Sequence, residues 1–181
     1  MSLFAAVAAA ICLVGPASAQ DRADKIWSTM EEIVDRRLDL CWHAGFFEDC
    51  VMFLRFKTGM HPRDPQISAD LAYMLINVER YDEAVAEARR LFGLDKINPV
   101  FAENLADLYY RKKNWPNIIE TLAPVIEKTK SLSAAVMLGR AYEETGRLRD
   151  ALAVWESRLR RMPGDASAQR HIAEIKQKIG G

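Results

Sequence analysis

Apolar and polar positions along this chain alternate at helical spacing, and from residue 64 onward that spacing itself repeats. The stretches LAYMLINVERYDEAVAEARRLF from Leu71, LADLYYRKKNWPNIIETLAPVI from Leu105 and LGRAYEETGRLRDALAVWESRL from Leu138 align without a gap, their first leucines 34 and 33 residues apart. Each has Leu followed by Ala or Gly, then an apolar or aromatic residue at Leu75, Tyr109 or Tyr142. Further on stands Tyr81, Trp115 or Leu148, and then Ala84, Ile118 or Ala151. Such periodicity predicts two amphipathic helices per unit, joined by a tight turn. Asp64-Pro65 and Asn98-Pro99 place a capping side chain before a proline at the first helical position, where the missing N–H costs nothing. Trp115-Pro116 and Gly146 fall where the two helices of a unit separate, and Pro163-Gly164-Asp165 ends one helix and caps the next. Helices this short are not stable alone, so each must bury its apolar face on a neighbour.

On these residues the units resemble tetratricopeptide repeats. That family's pattern of about 34 residues runs W-x2-L-G-x2-Y, then A-x3-F, then P. Leu138, Gly139, Tyr142, Ala151, Trp155 and Pro163 reproduce it, with Ala135 in place of the leading Trp. The unit at 65 matches less fully, and in the unit at 99 Ile118 and Leu122 replace the small and aromatic residues. Upstream, in the same register, Leu38, Cys41, Gly45, Phe47, Cys50, Leu54 and Pro62 take the repeat's Gly, Tyr, turn, aromatic, Ala, Phe and Pro positions. Downstream, ASAQRHIAEIKQKI from Ala166 sets Ala168, Ile172, Ile175 and Ile179 on one face, as expected of a polar-backed closing helix.

The resemblance implies an all-α fold, a right-handed superhelical solenoid of antiparallel helical hairpins with a C-terminal closing helix. Residues 20–30 form a helical extension, 31–64 a degenerate repeat, 65–98, 99–131 and 132–165 three repeats, and 166–181 the closing helix. The first helix, with Trp27, Met30 and Ile33, extends the array or forms a seam in a homodimer.

The start of the chain differs in kind. MSLFAAVAAAICLVGPASAQ has no charged side chain, an apolar run from Leu3 to Val14, and small residues at Ala17 and Ala19 that fit the pattern read by signal peptidase. About a dozen apolar residues are too few for a hydrocarbon core ~30 Å thick. A signal peptide over 1–19, cut before Gln20, is therefore expected, giving a periplasmic or secreted protein of bacterial type with no stable membrane span. Cys12 follows Ala-Ala-Ile, unlike a lipid-attachment sequence, and reads as a leader residue.

Composition narrows the chemistry. Lys plus Arg and Asp plus Glu are equal at 25 each, so no net field favours nucleic acid, and no basic run or aromatic stacking motif occurs. Phosphate-loop, G-x-S-x-G and H-E-x-x-H motifs are lacking, and Glu143-Glu144 reads as a solvated helix face. No enzyme activity and no cofactor are expected. His43 and Cys41 point about 200° apart on a helix, and His61 and His171 belong to distant segments, so no metal site is expected either.

CWHAGFFEDC, residues 41 to 50, holds the remaining two cysteines. In the repeat register Cys41 ends one helix and Cys50 begins the next, both facing the seam. In an oxidising compartment they are a candidate disulfide, whose loop of about ten residues would stabilise by roughly 2–3 kcal/mol. Two buried free thiols, or a thiol-redox pair without the C-x-x-C spacing, are the other readings.

What remains is recognition. By the resemblance, the concave wall carries Tyr73, Ile76 and Asn77; Glu103, Asn104, Asp107, Tyr110 and Arg111; and Val136, Arg140, Glu143 and Glu144. Aromatic, Arg and Asn side chains on a rigid groove suit a peptide or helix of a partner protein. Relatives that clamp chaperone C-terminal carboxylates use Lys, Asn and Arg at positions held here by Ala69, Tyr73, Asn104, Ser133 and Met137; only Asn104 fits, which argues against that clamp. An adaptor or scaffold of the cell envelope is the expectation, with a thiol-redox protein or a non-catalytic accessory subunit of an envelope enzyme or assembly complex as alternatives.

Overall fold

A computed structural model describes the backbone of residues 17–180 and the side chains of 20–180. The leader expected over 1–19, with Cys12, thus lies outside the described residues except for the backbone of 17–19. Among the described residues there are nine helices and no strand: α1 (Ala17–Ala44), α2 (Phe47–Met60), α3 (Pro65–Asn77), α4 (Tyr81–Leu94), α5 (Pro99–Arg111), α6 (Trp115–Leu122), α7 (Leu132–Glu144), α8 (Leu148–Arg161) and α9 (Ala166–Gly180). The fold is all-α.

The repeat is written in the backbone as well. Four hairpins each turn on one left-handed residue: Gly45 at φ 76°, Glu79 at 63°, Lys113 at 54° and Gly146 at 72°. At Gly45 the N–H bonds back to Trp42 O at 3.1 Å and the next N–H, of Phe46, to Cys41 O at 2.9 Å; Gly146 and Arg147 repeat this onto Glu143 and Tyr142 at 3.1 and 2.8 Å. Glu79 with Arg80 and Lys113 with Asn114 make the same pair of bonds. These bonds satisfy carbonyls that a helix end leaves open. Glu79 and Lys113 hold a conformation that costs an L-residue about 1–2 kcal/mol. The first helices begin just as regularly. The Asp64 carboxylate accepts from the N–H groups of Gln66 and Ile67, the Asn98 carbonyl from those of Val100 and Phe101, the Ser131 hydroxyl from Ala134 and the Asp165 carboxylate from Ala168.

The described chain divides into two compact units, up to Lys57 and from Thr58 on. In the first, α1 and α2 pair antiparallel: Lys57 bridges to Asp35, the Cys50 thiol faces the Leu38 carbonyl, and Trp42 meets Phe47 edge-on at 6.1 Å. Val34, Cys50, Val51 and Leu54 are buried. At 28 residues α1 is twice the length of the 14-residue α2, and no break separates the expected extension from the first repeat helix. Its excess length carries Ile26 and Trp27 into solvent, 61% and 53% exposed. Met30, Ile33, Val34, Met52, Phe53 and Phe56 line an apolar cleft of about 300 Å³.

In the second unit each helix packs on the next from α3 to α9. The first helices α3, α5 and α7 also touch one another in sequence, whereas among the described residues no second helix touches the next second helix. The stack therefore closes toward the first-helix side, which is its concave wall. Ala84, Ala102, Ala106, Ala134, Ala135, Ala141, Ala151 and Ala168 let the helices approach and are buried to 6% exposure or less, beside the larger Leu75, Leu91, Ile118, Leu122, Leu138 and Ile175. Full burial of each large aliphatic side chain stabilises by about 1.5–3 kcal/mol. The one irregular unit is the third hairpin. α6 stops after eight residues at Leu122 because Pro124 lacks the N–H that would bond to Glu120, and the chain continues in turns in which Val125 stays fully buried.

The far end is closed by a polar cluster inside the core. Trp155 is fully buried, donates its indole N–H to Glu143 Oε1 at 2.7 Å, and stacks on His171 of α9 with ring centroids 4.3 Å apart and planes 3° from parallel. His171 Nδ1 lies 3.0 Å from the same Glu143 carboxylate. Gly139 makes room for the indole: a Cβ there would sit 2.7 Å from Trp155 Cε2.

Candidate functional site

The concave wall of the second unit contains a cavity of about 380 Å³. Helical spacing puts residues three and four apart on one face. Accordingly α3 supplies Ala69, Asp70, Tyr73 and Ile76; α5 supplies Glu103, Asn104, Asp107 and Arg111; and α7 supplies Ser133 and Met137. Tyr73 is 48% exposed and offers an aromatic face. Asn104 Nδ2 donates to Pro65 O at 3.0 Å, tying α5 to the start of α3, and Arg111 Nε lies 2.8 Å from Asp107 Oδ2.

Of the residues expected on this wall, Tyr73, Ile76, Asn104, Asp107 and Arg111 line the cavity, with Glu103 beside them. Asn77 is exposed at the last position of α3, outside the cavity lining. Tyr110 turns toward the hairpin, edge-on to Trp115 at 5.7 Å. Arg140 pairs with Glu144 at 3.4 Å, and Val136 is half-buried. Glu143 departs most from expectation. Its side chain is 8% exposed and accepts from Trp155 while pairing with His171, so it belongs to the closing cluster and not to a solvated face. Asp70, Ser133 and Met137 complete the cavity; Asp70 stands one helical turn before Tyr73, which is the signal that could have found it.

Cys41 and Cys50 are free thiols in this structure. The Cys50 sulfur is fully buried and directed at the Leu38 carbonyl, 4.0 Å away and one turn before Cys41. Burial first, then the neighbouring Cys41 and Asp49, push the Cys50 thiol above its ordinary pKa. That is the reverse of an activated thiolate, so the redox reading gains no support. His43 Nδ1 is 2.8 Å from Asp39 O, within its own helix. Among the described residues no group of His, Cys, Asp or Glu converges as metal ligands, and no helix is long and apolar enough to cross a membrane.

Stacked hairpins with a first-helix concave wall define a tetratricopeptide-type helical-repeat fold. Solved structures agree. MamA is similar with a TM-score of 0.67 at 17% identity, over 82% of this chain and 82% of that one. MamA from Desulfovibrio magneticus RS-1 is similar at 0.66 and 15%, over 82% and 85%. A tetratricopeptide repeat protein from Parabacteroides merdae ATCC 43184 is similar at 0.59 and 13%, over 82% of this chain and 59% of that one. At these identities the likeness is one of fold. No family model matches the sequence, and no curated protein is significantly similar to it.

Proposed function

We propose that this protein is a non-enzymatic adaptor of the cell envelope, exported by its leader, that holds a peptide segment or helix of a partner protein on the concave wall of α3, α5 and α7. The observation that carries the reading is the cavity of about 380 Å³, into which three successive first helices bring Tyr73, Ile76, Asn104, Arg111 and Met137. Short polar groups beside aromatic and aliphatic side chains on a rigid support are the makings of a peptide-recognition surface. The fold supports this reading, since helical repeats offer extended concave faces. Export rests on the charge-free apolar run and the Ala17-Ser18-Ala19 cut pattern.

The test is retention of partners from envelope extract on the immobilised mature protein. Tyr73→Ala with Ile76→Ala is expected to release a specific partner that Arg149→Ala, on an exposed face of α8, retains. A partner held equally by all three proteins overturns the groove. The mature N-terminus is expected at Gln20; finding Met1 or Ser2 there contradicts export.

A further inference from the structure

The chain is neutral overall, but its groove is not. The cavity lining contributes Asp70, Glu103 and Asp107 against Arg111 alone. Arg111 is already committed to Asp107 at 2.8 Å. Side-chain donors to the other two carboxylates are uncharged: the Gln66 amide reaches Asp70 at 2.8 Å, and the Ser131 hydroxyl donates to Glu103. Farther along, Arg140 and Glu144 match each other, so the excess of negative charge stays on the α3 and α5 side. Between these carboxylates the lining is apolar, with Tyr73, Ile76 and Met137.

Resting on the reading of this wall as the binding face, we propose that its occupant is a cationic protein segment, with two Lys or Arg side chains meeting Asp70 and Glu103 and an apolar side chain between them over Tyr73, Ile76 and Met137. Asp70 and Glu103 stand on neighbouring helices whose axes lie about 8–10 Å apart, a span of about three residues of extended chain. A partially desolvated groove strengthens such pairs relative to open water, and an acidic segment would meet like charges. Phosphate groups and C-terminal carboxylate tails are disfavoured for the same reason. The apolar side chain supplies the affinity that exposed ion pairs, each worth little alone, do not.

The experiment is fluorescence anisotropy of the mature protein with labelled peptides of repeating Lys-Ala-Leu and of repeating Glu-Ala-Leu. The lysine peptide is expected to bind, to weaken as salt rises, and to lose about tenfold in affinity when Asp70→Asn and Glu103→Gln are combined. The glutamate peptide is expected not to bind. Each substitution keeps one acceptor oxygen for the Gln66 or Ser131 donor and is expected to leave the melting temperature unchanged. No binding of the lysine peptide, equal binding of both peptides, or undiminished binding by the neutralised variant overturns the proposal. A natural partner released by Tyr73→Ala with Ile76→Ala but held by the neutralised variant removes the cationic occupant and leaves the groove reading standing. A partner held by both variants removes the groove reading itself.

Discussion

The first hairpin and the last are built by the same local devices and end in different states. Both turn on a left-handed glycine, Gly45 and Gly146, with the same pair of backbone bonds across the turn. Both follow the same register, but the last hairpin sets fully buried Trp155 over Gly139, whereas the first has buried Leu54 and half-buried Leu38 at the equivalent positions. A large indole needs a glycine beneath it, whereas leucine at both positions of the register supplies a more even pair of volumes. The two hairpins also differ in how their outer faces are covered. α9 closes over α8, and His171 stacks on Trp155. In the first hairpin, by contrast, Ile26, Trp27, Leu40, Phe46 and Met52 remain more than half exposed. Register and turn chemistry are enough to make a hairpin, whereas burying its outer face takes a neighbour that supplies matching volume.

The sharpest way to break this comparison is to remove the indole. Trp155→Ala is expected to cost about 3–5 kcal/mol in urea denaturation, since it leaves a cavity and strips Glu143 and His171 of their common neighbour. Next comes Gly139→Ala, where the new Cβ meets the indole; overpacking is expected to cost about 1–3 kcal/mol and to outweigh the helix-propensity gain of about 1 kcal/mol. Gly93→Ala, with open space around it, is expected to stabilise by about 0.5–1 kcal/mol, and equal signs at the two sites would contradict the packing argument.

Asp165 gives the comparison a pH dependence. The Ala168 N–H and the Arg158 guanidinium hold its carboxyl below the usual carboxylate range, although burial opposes them. A depressed folded value means that its contribution is complete above the unfolded value near ~3.9 and is lost as pH falls through the folded one. Asp165→Asn is therefore expected to be less stable than the parent at neutral pH, with the gap closing in acid; a gap constant with pH would contradict this. The smallest effect is expected on the exposed face of α1. Ile26→Gln and Trp27→Gln should each change stability by no more than about 0.5 kcal/mol, and a cost several times larger would mean that this face is buried against something.

The repeat is legible in the sequence because its signals are local. Asp64-Pro65 and Asn98-Pro99 announce their caps, and the leucine register announces the seam. The left-handed Glu79 and Lys113 carry no such mark, since the turn is imposed there by the helices that flank it and not by the residue. On the wall, Tyr73, Ile76, Asn104, Asp107 and Arg111 share the cavity as spacing along their helices suggests. Glu143 and Tyr110 do not, for reasons that lie outside their own helices: the indole N–H of Trp155 draws one inward, and the Trp115 ring holds the other at the turn. The setting of the thiols is likewise fixed by more than register. Register places Cys41 and Cys50 on one seam but does not say that the Cys50 sulfur points to the Leu38 carbonyl. Pro124, visible in the sequence, ends α6 early, a consequence that the repeat register obscures.

The central claim is that partners are held on the first-helix wall. A photo-crosslinking residue placed at position 73 of α3, and separately at 149 of α8, tests it most directly in intact cells. A discrete crosslinked partner from position 73 and none from 149 is the expected result. Crosslinking from 149 with none from 73 would move the binding face to the opposite side of the stack and contradict the claim.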